Sequence, residues 1–422
     1  MDVVLILDHG HVNGGQAKVA LDSALGLAAR GHRVDVFAAV APVDPRLSAA
    51  GIRVTCLDQP DIATASSKLA FAGQMLWNRP AARALAGLLA GRDPGRTIVH
   101  VHAFAKALSP SIFAAIRRAR LPALYTMHEF FLVCPNGGFY DYRRHAICRR
   151  APLSGACIAT NCDMRSYPRK AMRLARQVLL EKLARWPEAV RDVVTISALQ
   201  ETAVAPHLPP GLTLHRVDNP IAVPDPGPKP AGPPGPLTYV GRLSTEKGVL
   251  LFAEAARRAG VPAVFVGDGP EAETLRGRYP EARLLGWRDA AGVAEALRAA
   301  SALVFPSIWY EGQPLTVYEA LARGTPVVVS DACAGREAVA DGETGYWFPS
   351  GDAAALAARL TRLQDPAVLA RLGAEAHRRY WAAPLTLERH CARLEEVYGL
   401  VLQRRAAGLA APAPGARLQP AA

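Results

Sequence analysis

Residues 224–236, PDPGPKPAGPPGP, hold seven prolines and three glycines. Neither a helix nor a central strand tolerates that density, because proline removes a backbone donor and glycine removes conformational restraint. The segment reads as an exposed linker, and it divides the chain into two runs with the same rhythm. Before it, strand-like stretches at 3–7, 33–38, 52–57, 97–101, 122–127 and 192–196 each have an Ala- or Leu-rich helical stretch nearby. After it, strands at 237–240, 261–266, 282–285, 302–305 and 326–329 alternate with helices near 248–259, 270–277, 290–300 and 314–323. Alternation of this kind predicts parallel sheets covered by helices. The expected fold class is α/β, with two Rossmann-like domains facing a central cleft, and 422 residues suffice for two such cores. The expected layout is a first domain over 1–223, the linker, a second domain over 237–384, a helix over 385–405 crossing back to the first domain, and a flexible tail over 406–422.

Half the residues are hydrophobic and one fifth charged, which excludes a disordered chain. The apolar runs, such as VVLIL at 3–7, fall far short of a membrane span. Met1 and Asp2 lead directly into a strand, without the charged and apolar regions of a signal peptide, so a cytoplasmic protein is expected. Seven cysteines, an odd number, fit a reducing compartment. The net charge of +12 favours anionic partners, namely a nucleoside diphosphate, an anionic lipid surface or nucleic acid. No nucleic-acid reader motif accompanies it, so nucleic acid is not an expected partner.

The densest chemical signal is FPSIWYEGQPLTVYEALARGTPVVVSD at 305–331. Glu311 precedes a predicted helix that starts near Pro314, and Glu319 lies about a turn and a half inside it. Free N–H groups at that helix start can hold an anion or a sugar hydroxyl. Glu311 can accept from sugar hydroxyls and Glu319 from a ribose diol; two surface acids on a helix are the plain alternative. In LTYVGRLSTEKGVLLF at 237–252, Arg242 and Lys247 flank a strand-to-helix turn, where a fork donor and a point charge can stabilise a departing diphosphate. Gly267 and Gly269, in VFVGDGPEAETL, permit close backbone approach at a strand end or simply make a turn. Gly14 and Gly15 do the same before the first long helix, in a pattern that is not the G-x-G-x-x-G dinucleotide fingerprint. His100, His102 and His128 follow predicted strands, where side chains face the cleft of such a fold. His100 reads as a hydrogen-bonded core histidine and His32 as structural.

Taken together, the ordered Glu–x7–Glu segment, the Gly-Arg–Lys turn, the Gly-Gly loop and the TMHEFF stretch resemble retaining glycosyltransferases of family four. The resemblance spans roughly residues 2–400 and is sharpest over 237–348. It implies the GT-B fold and a hexosyltransferase in surface polysaccharide or glycolipid biosynthesis. The sugar would pass from a nucleoside diphosphate sugar to a glycan or lipid-linked acceptor, with retention of configuration and no cofactor in catalysis. It assigns Glu311, His128, Arg242 and Lys247 to catalysis. Gly14, Gly15, Gly267, Gly269, Gln313, Pro314, Leu315 and Glu319 fall to donor binding. Gln313 departs from the aromatic residue many members carry there, which leaves the sugar open. A GT-B-like epimerase or phosphorylase shares the architecture, and a basic nucleic-acid-binding protein would use the charge alone.

Residues 134–162 form a Cys-rich insertion of the kind one branch of that family carries, with Cys134, Cys148, Cys157 and Cys162 in one loop. Four thiols make a structural zinc or iron–sulfur site chemically feasible, although the spacings are not those of paired C-x2-C knuckles; free thiols or a redox pair are the alternatives. The helix expected over 165–186 places Met172, Ala175, Leu179, Leu183 and Trp186 on one face. Arg169, Lys170, Arg173, Arg176 and Arg185 lie mostly on another. Such a helix either covers the sheet or makes a peripheral contact with an anionic membrane at its inner face.

Overall fold

The structure is a computed structural model and describes residues 1–61, 64–229 and 234–407. Residues 230–233 of the expected linker and 408–422 of the expected tail lie outside the described residues.

The first sheet is assembled from β1 (Asp2–His9), β2 (Arg33–Val40), β3 (Arg53–Cys56), β4 (Thr97–Val101) and β5 (Ala123–Thr126), with a small antiparallel pair β6 (Tyr140–Asp141) and β7 (Ala146–Ile147) outside it. β8 (Asp192–Thr195) and β9 (Thr213–Arg216) complete the order β3-β2-β1-β4-β5-β8-β9, all parallel. The second sheet comprises β10 (Leu237–Val240), β11 (Ala263–Val266), β12 (Arg283–Gly286), β13 (Ala302–Phe305), β14 (Val327–Ser330) and β15 (Gly345–Phe348), in the order β12-β11-β10-β13-β14-β15, again all parallel. Central strands such as Val3–Ile6 and Ala302–Val304 are fully buried. Helices cover both faces of each sheet, so a continuous apolar run rather than an alternating one is what these strands require. The edge strands β9 and β15 were not expected from the sequence.

In both sheets the strand order reverses once, between β1 and β4 and between β10 and β13. Loops leaving the carboxyl ends of strands on either side of such a reversal diverge and leave a crevice. The Gly14-Gly15 loop and the residues after Val101 border the first crevice. The loop from Gly241 to Gly248 and the residues after Phe305 border the second.

The helix Leu387–Ala406 packs on the first domain although it follows the second. Cys391, Leu394, Val397, Tyr398 and Val401 join the cluster that contains Val3, Leu5, Leu21 and Leu27. Gly26 lets it approach closely: a Cβ there would lie 2.5 Å from Cys391 Sγ. Polar contacts fix its register. Glu395 accepts from Arg30 and His32 at 2.7–2.8 Å, and the Arg30 bond holds its carboxyl down at about 2. His390 bridges Ser23 and the Asp218 carbonyl, and Arg404 pairs with Asp192.

The stretch 165–186 differs from its expected pattern. The α-helix Tyr167–Val178 runs into a π-helical turn, Leu179–Leu183, and the extra residue in that turn shifts the phase. The buried face is Lys170, Leu174, Arg176, Gln177, Leu180 and Ala184, while Val178 and Leu183 are 44% and 53% exposed. Arg176, expected on the outer face, instead donates to the Ala105 and Pro135 carbonyls from the interior.

Leu394 is fully enclosed between the final helix and the first sheet. Leu394→Ala should lower unfolding stability by about 2–5 kcal/mol, read as a reduced urea midpoint with an unchanged slope.

Candidate functional site

The two crevices face each other, and the elements that border them meet across the cleft. A Cβ on Gly15 would lie 3.6 Å from Leu315 Cδ1, so the Gly14-Gly15 loop of the first domain abuts the start of the helix Leu315–Ala322 in the second. Gly14 caps the helix Gly15–Ala29 and, like Gly15, is exposed. Their backbone N–H groups are therefore presented to the cleft at a helix N-terminus.

Glu311 lies at the centre of a small polar array. Its Oε1 accepts from Lys247 Nζ at 2.5 Å, Trp309 Nε1 at 2.7 Å and Ser307 Oγ at 3.0 Å. The Lys247 ammonium also stands 5.0 Å from the centroid of the Trp309 ring. A cation over an indole face is attracted by its quadrupole. Trp309 and Ser307 belong to the same loop as Glu311, and sequence reasoning did not single them out. An indole N–H two residues before a loop carboxylate was the available signal.

Lys247 reaches this position because Gly248 adopts φ +70° under the Pro306 carbonyl, where a Cβ would collide at 2.0 Å. Gly267 does the same on the neighbouring strand, at φ +136° with its Cα beneath the Gly241 carbonyl. These close approaches seat the Gly241–Gly248 loop and leave Arg242 exposed toward the cleft. Gly269 packs against the Leu243 carbonyl in the same layer.

Glu319 is nearer the Gly-Gly side. No hydrogen bond holds its carboxylate among the described residues, and burial pushes its pKa up against the opposing pull of Arg323 and Lys18. Lys18 sits in the first turn of the helix that follows Gly14-Gly15, so its influence on Glu319 acts across the cleft. Pro314 caps the helix that carries Glu319, as its fixed φ allows.

Gln313, expected at the donor, also bears on the junction between the domains. It is buried, and its Oε1 accepts the Asn219 N–H at 2.6 Å, in the segment that leaves the first domain; its Nε2 has no partner among the described residues. Glu337 makes a second junction, accepting from the Ala198 and Leu199 N–H groups and from Arg216.

On the first-domain wall, His128 Nε2 and His102 Nδ1 are 3.1 Å apart, and burial lowers the His128 pKa to about 3. A neutral imidazole pair results, able to donate and accept hydrogen bonds but carrying no charge. His100 is tied instead to Tyr398 and Thr126 in the core. Lys106, not picked out from the sequence, forms a 3.3 Å ion pair with Glu129, and its pKa is raised mainly by that partner. Asp8 shapes the loop beneath it by accepting from the N–H groups of Lys106, Ala107 and Leu108. An acid at the carboxyl end of the first strand was the legible sign of that role.

The four insertion cysteines surround a cavity of their own, together with Asn136, Arg150 and Lys170. Among the described residues no group of three or more His, Cys, Asp or Glu side chains already stands arranged to hold a metal ion.

Comparison with known proteins decides the family. Residues 235–365 match the family described as glycosyl transferases group 1, and residues 14–177 match the glycosyl transferase 4-like domain. The chain belongs to the family-four type of glycosyltransferases. Over 128 residues it is 44% identical to a phosphatidyl-myo-inositol mannosyltransferase of Mycobacterium leprae, covering 28% of this chain and 34% of that one. Over 147 residues it is 34% identical to an Escherichia coli UDP-Gal:alpha-D-GlcNAc-diphosphoundecaprenol alpha-1,3-galactosyltransferase, covering 32% and 37%. The match therefore spans about a third of the length of these curated relatives. Among solved glycosyltransferase-like structures, sucrose-phosphate synthase from Thermosynechococcus elongatus superposes with a TM-score of 0.66 at 20% identity, over 95% of this chain and 99% of the other. The Anabaena Alr3699/HepE structure in complex with UDP gives 0.64 at 17%, over 95% and 100%. The fold is GT-B.

Gln313→Leu would leave the Asn219 N–H buried without its acceptor. Thermal unfolding should show a loss of about 1–3 kcal/mol, larger than that of Gln313→Glu, which keeps an acceptor oxygen.

Proposed function

We propose that the chain is a retaining hexosyltransferase that moves a sugar from a nucleoside diphosphate sugar to a glycan or lipid-linked acceptor, in surface polysaccharide or glycolipid biosynthesis. The observation that carries this reading is the convergence of Lys247, Glu311 and Glu319 with the Gly14-Gly15 loop between the two crevices. An anion at that point meets a helix N-terminus, Lys247 and the exposed Arg242. The diphosphate draws Lys247 from Glu311, which frees the carboxylate to accept from the sugar hydroxyls. Glu319, the one acid of the motif without a hydrogen bond, accepts from the ribose diol.

In the transfer step the bond from the anomeric carbon to the β-phosphate oxygen breaks. A bond from the acceptor oxygen forms on the same face, and the departing phosphate takes the acceptor proton. The products are the glycoside and the nucleoside diphosphate. Lys247 and Arg242 stabilise the charge that develops on the phosphate. His128, neutral at physiological pH, serves as a hydrogen-bond partner for the sugar rather than as an acid.

Binding of nucleotide should be pH-dependent through Glu319. Burial raises its pKa in the free protein, and a ribose diol donating to it favours the charged form. Binding thus releases a proton, so affinity falls as pH drops through the raised pKa and levels off above it. A thermal-shift screen of UDP-, GDP- and ADP-sugars tests this: one nucleotide class at about a hundredfold over its Kd should raise the melting temperature by roughly 3 °C. Glu319→Gln should reduce the shift and flatten its pH dependence. Lys247→Ala should lower kcat by roughly 10²–10³ with the fold intact by circular dichroism. An inverted product by proton NMR, or no shift with any nucleotide sugar, would refute the reading.

No helix among the described residues is long and apolar enough to cross a membrane. We place the enzyme in the cytoplasm, in peripheral contact with the inner membrane face. Ile158, Met164, Tyr167, Val178 and Leu183 stand exposed along the insertion and the helix after it, beside Arg165 and Lys182. Apolar side chains flanked by cations suit an anionic lipid interface. The protein should sediment with phosphatidylglycerol-containing vesicles but not with phosphatidylcholine alone, and Val178→Glu with Leu183→Glu should abolish the association.

A further inference from the structure

We propose that Cys134, Cys148, Cys157 and Cys162 bind a single zinc-class metal ion as four thiolates, with the buried Lys170 ammonium balancing some of their charge. The four thiols come from separate stretches of an irregular loop and line one cavity; Cys56, Cys333 and Cys391 lie outside it. Hydrogen bonds draw those stretches together. The Cys148 N–H donates to the Phe139 carbonyl at 2.7 Å, and the Asn136 side chain donates to the Cys162 carbonyl at 2.8 Å.

Lys170 is the telling residue. It is 1% exposed, and its Nζ donates to Cys162 Sγ at 3.0 Å and to the carbonyls of Cys157 and Thr160 at 2.8 and 3.0 Å. Among the described residues no carboxylate pairs with it. A buried ammonium needs a counter-charge, and the groups in reach that can supply one are thiols. Arg150 adds a second cation, 3.6 Å from Cys148 Sγ and shared with Asp141. Four thiolates and one divalent ion sum to −2, a charge that Lys170 and Arg150 face from two sides.

The cavity measures about 20 Å³, room for little more than one water-sized particle. That suits a lone tetrahedral ion and not a cluster of four irons and four sulfides. Among the described residues the thiols do not stand in a ligating array; binding would require their sulfurs to turn inward about the Cα–Cβ bonds and would release four protons to solvent. The ion would staple a segment whose regular structure is two two-residue strands and a five-residue helix. That segment forms a wall of the cleft. A Cβ on Gly138 would lie 3.0 Å from the Trp309 ring, and Tyr140 packs edge-on to the same ring at 6.4 Å.

The test is metal analysis of the full-length protein, purified without a histidine tag and without chelator. One equivalent of zinc per chain is expected, and cobalt exchanged for it should show the intense thiolate charge-transfer and d–d bands of a tetrahedral tetrathiolate. Mercurial titration of the wild type should release the ion stoichiometrically. Cys148→Ser, at a half-buried position, should lose the ion, whereas Cys333→Ser should retain it. Substoichiometric metal with no cobalt bands would overturn the proposal. So would iron with acid-labile sulfide, or a disulfide among the four cysteines by mass spectrometry.

Discussion

Everything proposed for the cleft depends on two sheets being held at one mutual position, and the chain achieves this by crossing between them twice at the same place. The outgoing segment near Asn219 and the returning segment near Leu385 are hydrogen-bonded to each other, Ile221 N–H to the Leu385 carbonyl at 2.7 Å. Beyond that point the helix Leu387–Ala406 buries its apolar face in the first domain's core. The C-terminal segment thus reports the position of the second domain to the first. Without that return, the two domains would keep the Glu337 and Gln313 junctions and a proline-rich tether, and a tether sets a distance range rather than a geometry.

The polar contacts of the cleft divide by what they can give up. Glu311 is already satisfied by Lys247, Trp309 and Ser307, so the Lys247–Glu311 pair is preorganised, and the proposed transfer has it exchange partners with an anion. Glu319 is unsatisfied and carries a raised pKa, which marks it as a group waiting for a donor. The imidazoles of His102 and His128 bond to each other and stay neutral, so this pair adds shape and hydrogen bonding without charge. Positive charge is then concentrated on the opposite wall, where Arg242 and Lys247 lie.

Much of this was legible in the sequence, and the failures have physical causes. The central strands read clearly because burial on both faces demands continuous apolar runs. An edge strand such as Thr213–Arg216 did not, because a half-buried strand of four residues carries too little pattern. The Glu–x7–Glu segment pointed to the cleft, but its hydrogen-bond partners Trp309 and Ser307 are visible only once the loop folds back on itself. The helix at 167–183 misled because charge was read as exposure, whereas the cations of Lys170 and Arg176 are buried against backbone carbonyls. The π-helical turn changes the phase only of the residues from Leu179 onward. The bond from the Asn219 N–H to Gln313 was not legible for another reason: it joins residues 94 apart in sequence across the domain junction.

That last placement has a consequence for how such an enzyme can diversify. Position 313 borders the loop proposed to face the sugar and at the same time bears the Asn219 backbone at the point where the two domains diverge. A substitution that reshapes the pocket for a different sugar also resets how easily the two lobes separate, so selectivity and turnover rhythm are not independent traits here. Lineages changing one would be expected to carry a compensating change in the connector, and residue 219 is where to look for it.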